Sequence, residues 1–273
     1  CDMKIIQKIL VFLTIFSFFI IAVGCSFNRD NTVNEDLINK ISNATKSIKS
    51  TNAKIETKLN FTNPDQNVKA IITLNSSITT NPSIVKISRN EERNGQKVEN
   101  IFYITDDTVY IEDVETNTWK KAINEKFRQS YNRRISLTNF ESVTEFLNSI
   151  KNKMKVSEQD LFYEVNYSGS ELSVKEVLAK ITTLIQPDID RLIKQLLPEK
   201  IEVKYIIDKK TFLPIECKIK AKFAYFKDGK RVDSVSLDEE IIIKYSEINE
   251  VEEIIIPDEA KDGKFIEDEL SYN

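Results

Sequence analysis

The side chains able to do chemistry are few. There is no histidine among 273 residues, which removes imidazole-based triads, imidazole-bound zinc and the usual general base at neutral pH. Three cysteines occur, Cys1, Cys25 and Cys217. The first two sit in the N-terminal stretch, so Cys217 stands alone in the rest of the chain and no internal disulfide can form there. Such a cysteine is more often a small buried hydrophobe than a reactive thiol. Asp106-Asp107 and Asp258-Glu259 set carboxylates side by side, but no D-x-D-x-D-G loop surrounds them; they read as solvated turns, and no metal is expected. Other carboxylate pairs follow from the 30% charged residues, and none has a partner that would fix an acid–base role. With 5 glycines there is no GxGxxG and no phosphate loop. No enzymatic activity and no cofactor are expected. Trp119 reads as a half-buried packing residue rather than a sugar-stacking platform.

Cys25 is the exception, because of what precedes it. Lys4 and Lys8 lead into an apolar run, Ile9 to Val23, broken only by Thr14 and Ser17, and the run ends in Ala22-Val23-Gly24-Cys25. A positive start, an apolar centre and small residues before a cut mark a secretory signal. The cysteine after Gly24 resembles a lipobox, in which the new N-terminal cysteine carries a diacylglycerol thioether. Ala22 stands where leucine is most frequent, and Cys1-Asp2 precede Met3, which reads as the start. Two other readings stay open, an uncleaved anchor and an ordinary signal cut near Gly24. The anchor falls short of the roughly 20 apolar residues that a spanning helix needs. Two acyl chains at about 0.8 kcal/mol per buried CH₂ hold a protein firmly at a bilayer. The expected location is the extracytoplasmic face of the cell membrane.

The chain after the cut is long enough for one large domain or two small ones. Net charge is −4, and loss of Asp2, Lys4 and Lys8 takes it near −5. Both signs are interspersed, so no nucleic-acid partner is expected, which would want a basic stripe. The abundance of Ile, Asn and Lys suggests an AT-rich genome, as in low-GC Gram-positive bacteria.

Residues 1–24 read as the signal, 25–33 as lipidated N-terminus and tether, 34–262 as the folded domain and 263–273 as an acidic tail. A helix is predicted from Thr32, with Glu35 at capping-box spacing and an apolar stripe through Leu37, Ile38, Ile41, Ala44 and Ile48. From Ala53 the period becomes two, Ala53, Ile55, Thr57, Leu59 and Phe61 on a buried face alternating with Lys54, Glu56, Lys58 and Asn60 on a wet one. Strands are predicted at Ala53–Phe61, Val68–Ile78, Ile84–Arg89, Val98–Thr105 and Thr108–Asp113, with a short one around Trp119. Turn-length gaps between them argue an antiparallel meander. A helix follows through Phe140, Val143, Leu147, Ile150 and Met154, capped by Thr138. Leu161–Tyr167 reads as a strand or an extended link. A long apolar pattern from Val174 to Leu196 starts at Ser173 and Glu176 and should break near Gln186, ahead of Pro187.

Strands return at Ile201–Ile207 and Ile215–Phe226, the latter with Ile215, Cys217, Ile219, Ala221, Phe223 and Tyr225 facing one way. Asp228-Gly229-Lys230 reads as a three-residue hairpin loop, preferred to a two-residue loop, which would set Lys220 against Leu237. Lys227 then opposes Arg231, Lys220 opposes Asp238 and Lys218 opposes Glu240, with one mismatch, Ile219 against Glu239. The returning strand runs to about Ile248, and Ile254–Ile256 with Pro257 makes a last edge segment.

Three local patterns carry a resemblance. They are Asp208-Lys209-Lys210-Thr211-Phe212-Leu213-Pro214, then Ile256-Pro257-Asp258-Glu259-Ala260, and Val109-Tyr110-Ile111 followed by Thr118-Trp119-Lys120. With the element order, they resemble a Firmicutes lipoprotein family of unknown function and the LolA-like half-barrel of bacterial lipid and lipoprotein carriers, shared with LppX and LprG. The resemblance covers most of Asn34–Ala260 and implies an α+β fold, a curved antiparallel sheet covered on its concave face by helices. It also implies a groove between sheet and helices that takes a lipid or other apolar ligand. Candidate lining residues are Phe61, Ile72, Leu74, Phe102, Leu184, Ile185, Tyr205 and Phe223. The alternative is a solid core and a cell-envelope interaction protein using its wet sheet face or edge. Protein partners are not legible.

Overall fold

The computed structural model describes residues 31–122, 140–185 and 189–265. The leader, Cys25, Thr138, Pro187 and the end of the acidic tail lie outside them. Twelve strands among the described residues form one open, curved sheet in the order β12-β6-β5-β4-β3-β2-β1-β11-β10-β9-β8-β7. Helices cover its inner face, the half-barrel α+β architecture expected above.

Helix α1 (Asn31–Thr45) is followed by β1 (Ser50–Thr62), β2 (Asn67–Thr80), β3 (Ser83–Arg93), β4 (Gln96–Ile104), β5 (Val109–Asp113) and β6 (Thr118–Ala122). Each pairs antiparallel with the next. Asn94 and Gly95, both at positive φ, supply the two-residue turn whose twist matches the strands it joins. Helix α2 (Glu141–Ile150) leads to β7 (Lys155–Glu158), an edge strand the sequence pattern did not announce, and to β8 (Phe162–Gly169). The long apolar pattern becomes α3 (Leu172–Ile185) and α4 (Asp190–Gln195); the break predicted near Gln186 falls outside the described residues. Then come β9 (Leu197–Asp208), β10 (Pro214–Lys227) and β11 (Lys230–Ser246). Pairing of β1 with β11 joins the two meanders, Ala53 opposing Tyr245.

The β10–β11 hairpin departs from the expected register. Asp228 and Gly229 both take positive φ, so the loop has two residues and Lys227 opposes Lys230. Continued unchanged, that register would turn the apolar face of β11 outward. Between Ala224 and Tyr225 the register shifts instead, Tyr225 opposing Val232 while Ala224 opposes Ser236. Three extra residues on β11 restore the in–out parity. Lys220 then opposes Glu240, not Asp238, and Glu239 opposes Ala221, not Ile219. A second irregularity, between Pro214 and Glu216, pushes Ile215 out to 42% exposure; it was expected on the inner face.

The D-x-x-T-x-x-P stretch is a side-chain-capped turn. Asp208 Oδ1 accepts from the Lys210 N–H (3.0 Å), the Thr211 N–H (2.7 Å) and the Thr211 hydroxyl (2.7 Å). Partial burial alone would raise the Asp208 carboxyl, but these hydrogen bonds outweigh it and hold it below its usual value. The other two patterns interlock. Residues 251–257 are not a strand. They run past the outward positions Asn52, Ser77 and Lys86, with Ile254 buried and Ile255 exposed, into α5 (Asp258–Lys261), which packs on β5 and β6 with Ala260 fully buried. Gly263 then sits so close that a Cβ would lie 2.9 Å from the Ala260 carbonyl oxygen and 3.1 Å from Trp119. It leads into β12 (Lys264–Phe265), parallel to β6. Trp119 packs against Tyr103 with ring centroids 6.0 Å apart, the structural role expected of it.

Candidate apolar groove and buried carboxyl

The inner face of the sheet's middle is ordered in transverse rows of side chains, one from each of up to six neighbouring strands. One row runs Leu74, Ile55, Ile243, Cys217, Tyr205, Val165; the next runs Ile72, Thr57, Ile241, Ile219, Val203, Tyr167. A third runs Ala70, Leu59, Glu239, Ala221, Ile201, Gly169. A fourth holds Phe61, Leu237 and Phe223. Alternation alone aims all of these at the helices.

Helix α2 sits on this face through Phe140, Val143, Phe146, Leu147 and Ile150, all buried. Phe140 meets Tyr245 at 4.6 Å between ring centroids, and Phe146 meets Tyr205 at 6.1 Å. Asn34 of α1 donates to the Lys151 carbonyl at 3.0 Å, tying α1 to the end of α2. Lys180 of α3 pairs with Glu145 of α2. Lys175, the buried lysine of α3, donates to the Lys194 carbonyl of α4 at 3.2 Å, and burial lowers its pKa. The cover is therefore a set of short helices latched to one another by single side chains.

The eight candidate lining residues do not surround one point. Ile72, Tyr205, Phe223 and Ile185 belong to the main buried cluster, with Phe61 and Leu74 packed against it. Leu184 falls in α3, and its side chain lies outside the described set. Phe102 belongs to a separate cluster with Ile78, Val85, Ile87, Ile104 and Val109, which Leu74 also touches. Cys217 is fully buried, and burial pushes its thiol up to about 12; it is no nucleophile.

Glu239 was visible in the sequence only as a pairing mismatch. It occupies an inward position between Leu237 and Ile241 on β11 and is 3% exposed. Its Oε2 accepts from the Thr182 hydroxyl of α3 at 2.9 Å, while Oε1 has no partner. Burial drives the carboxyl up to about 8, the Thr182 hydrogen bond opposing the shift. The signal that could have marked it is a single acidic residue at an inward position of an apolar alternation. Thr57 Oγ1, in the adjacent row, is also buried without a partner.

The outer face carries two grooves, of about 700 and 480 Å³, which share Glu202 and Lys220. Nine lysines line them, against the outward carboxylates of Glu202, Asp238 and Glu240. Among the described residues, no group of three ligating side chains is placed to hold a metal ion, and no helix is long and apolar enough to cross a membrane.

Sheet, helical cover and interior define an α+β half-barrel with an apolar inner face. The chain belongs to the family of unknown function DUF6612, which matches residues 33–265. No protein of curated function matches it. Among solved structures, it is similar to the lipoprotein LppX of Mycobacterium tuberculosis at 13% identity and a TM-score of 0.45, covering 83% of this chain and all of that one. LprF of Mycobacterium bovis is similar at 14% identity and a TM-score of 0.40, covering 84% and 98%. A candidate outer membrane lipoprotein-sorting domain from Vibrio parahaemolyticus is similar at 9% identity and a TM-score of 0.26, covering 83% and 96%.

Proposed function

We propose that the protein is a lipoprotein anchored through Cys25 at the extracytoplasmic face of a Gram-positive cell membrane. There it binds or shuttles a lipid or other apolar molecule between its sheet and helices. The observation that carries this reading is the inner face itself. It is apolar over many strands, and its cover is divided among separate helices, α1, α2, α3 and α4, rather than made by a second sheet. Those helices are held mainly by apolar side chains buried against the sheet, non-directional contacts that an acyl chain entering at a seam between helices can replace in kind. Phe61, Ile72, Leu74, Leu184, Ile185, Tyr205 and Phe223 are the proposed lining, and Phe102 is proposed at its far end. The test is to purify the protein from the cells that make it, extract it and weigh the extract by mass spectrometry. Lipid near one molecule per chain supports the reading, and a lipid-free protein rejects it. Cys25→Ala tests the anchor: the variant should be released or left unprocessed, and continued acylation would mean the anchor lies elsewhere.

The lysine-lined outer grooves favour a second reading, an envelope interaction module that holds an anionic partner on its wet face. Five of the nine lysines pair with Glu164, Glu171, Glu202 or Glu240, and the cations still outnumber the carboxylates on this face of a chain of net charge −4. Binding of this kind weakens steeply with salt, and Lys58→Glu with Lys222→Glu should abolish it without loss of lipid.

A further inference from the structure

Three polar side chains lie together where the groove is proposed. Glu239 on β11 has Leu59 and Ala221 as cross-strand partners. Thr57 is the next inward residue along β1 from Leu59, so it stands diagonally from Glu239. Thr182 reaches down from α3 to the Glu239 carboxyl. Glu239 Oε1 and Thr57 Oγ1 are left without a partner. No described lysine or arginine forms an ion pair with Glu239, and the buried Lys175 spends its ammonium on the Lys194 carbonyl. The neighbours in the same row are small, Ala221 beside Glu239 and Ala70 beside Leu59.

Buried polar atoms are almost always paired. Two unpaired ones this close mark the place of a missing partner. We infer that Glu239, Thr57 and Thr182 hold the polar head of an uncharged, hydroxyl-bearing lipid. This rests on the groove reading above and specifies its ligand. A protonated carboxyl offers one donor and one acceptor, and a threonine hydroxyl does the same. A ligand hydroxyl is therefore satisfied from both sides. A phosphate or carboxylate head would meet a carboxyl that forms no ion pair with any described lysine or arginine, with the groove lysines Lys58, Lys69, Lys200, Lys220 and Lys222 on the outward positions of the sheet. An ammonium head would have to ionise Glu239 and bury the resulting pair, whose desolvation can exceed its attraction.

The experiment uses the full-length protein, stripped of bound lipid and measured by native mass spectrometry. The probes are dioleoylglycerol, dioleoyl phosphatidic acid, which has the same chains with a phosphate head, and hexadecane, which has no head. Wild type should prefer dioleoylglycerol to the phosphatidic acid by about tenfold or more. Glu239→Leu should lose about tenfold for dioleoylglycerol and keep its hexadecane affinity. Thr57→Val, which nearly conserves shape, should lose severalfold and guards against a misfolded Leu variant. Equal dioleoylglycerol binding by wild type and both variants, with hexadecane also bound, overturns the head site and leaves the groove. Tighter binding of phosphatidic acid overturns it too. Failure of wild type to bind any of the three removes the groove reading itself.

Discussion

Glu239→Gln should make the protein more stable, and by an amount that depends on pH in one direction only. The wild-type carboxyl titrates near 8 when folded, against an ordinary value of 4.5. Between those values the unfolded chain releases a proton that the folded chain keeps. Stability therefore falls as pH rises from about 4.5, by about 1.4 kcal/mol per unit, and levels off above about 8. At pH 7 the accumulated cost is about 3 kcal/mol. Glutamine keeps the shape and the acceptor that meets Thr182 but has no proton to lose, so the cost disappears. The assay is urea unfolding of both proteins from pH 4.5 to 9. Other titrating groups cancel in the difference between them. The curves should coincide within about 1 kcal/mol at the acid end and diverge steadily to pH 8, with glutamine the more stable. Parallel curves across that range would refute the reasoning, since they would mean that the buried carboxyl ionises as freely as one in water.

Three further outcomes follow from the packing. Thr211→Val removes the hydroxyl bonded to Asp208 and should cost about 0.5–1 kcal/mol at pH 7; because the folded carboxyl is held low, that loss should shrink as pH falls below the ordinary aspartate value of 3.8, as unfolding at pH 7 and pH 2.5 will measure. Gly263→Val sets a branched side chain against the Ala260 carbonyl and Trp119 and should cost about 1–3 kcal/mol, with a shift in Trp119 fluorescence as α5 lifts from β6. Cys217 should resist a thiol-specific reagent in the native protein and react fully in urea; rapid native labelling would contradict its burial.

Much of this architecture is written locally. A period of two with turn residues between the runs is enough to set strands and to say which side chains share a face. Thus Ile55, Thr57 and Leu59 were placed inward on β1. The lysines of the wet face were also visible one by one. Their gathering was not: Lys58, Lys69, Lys200, Lys220 and Lys222 come from four strands and share a groove only once those strands are ordered.

What only tertiary structure decided are the relations between distant strands. The hairpin after Asp228 was misread because local rules gave two loop lengths. The chain takes the shorter loop at Asp228 and Gly229, and burial of the β11 face, a property of the whole sheet, then requires the shift at Ala224. That same shift moved Glu239 from a poor pairing with isoleucine to a place beside Ala221 under α3. A carboxyl on a strand is an ordinary thing in sequence. It becomes a titratable, half-satisfied group in an oily interior only when β1, β10 and α3 close over it, because desolvation depends on everything nearby and not on neighbours along the chain.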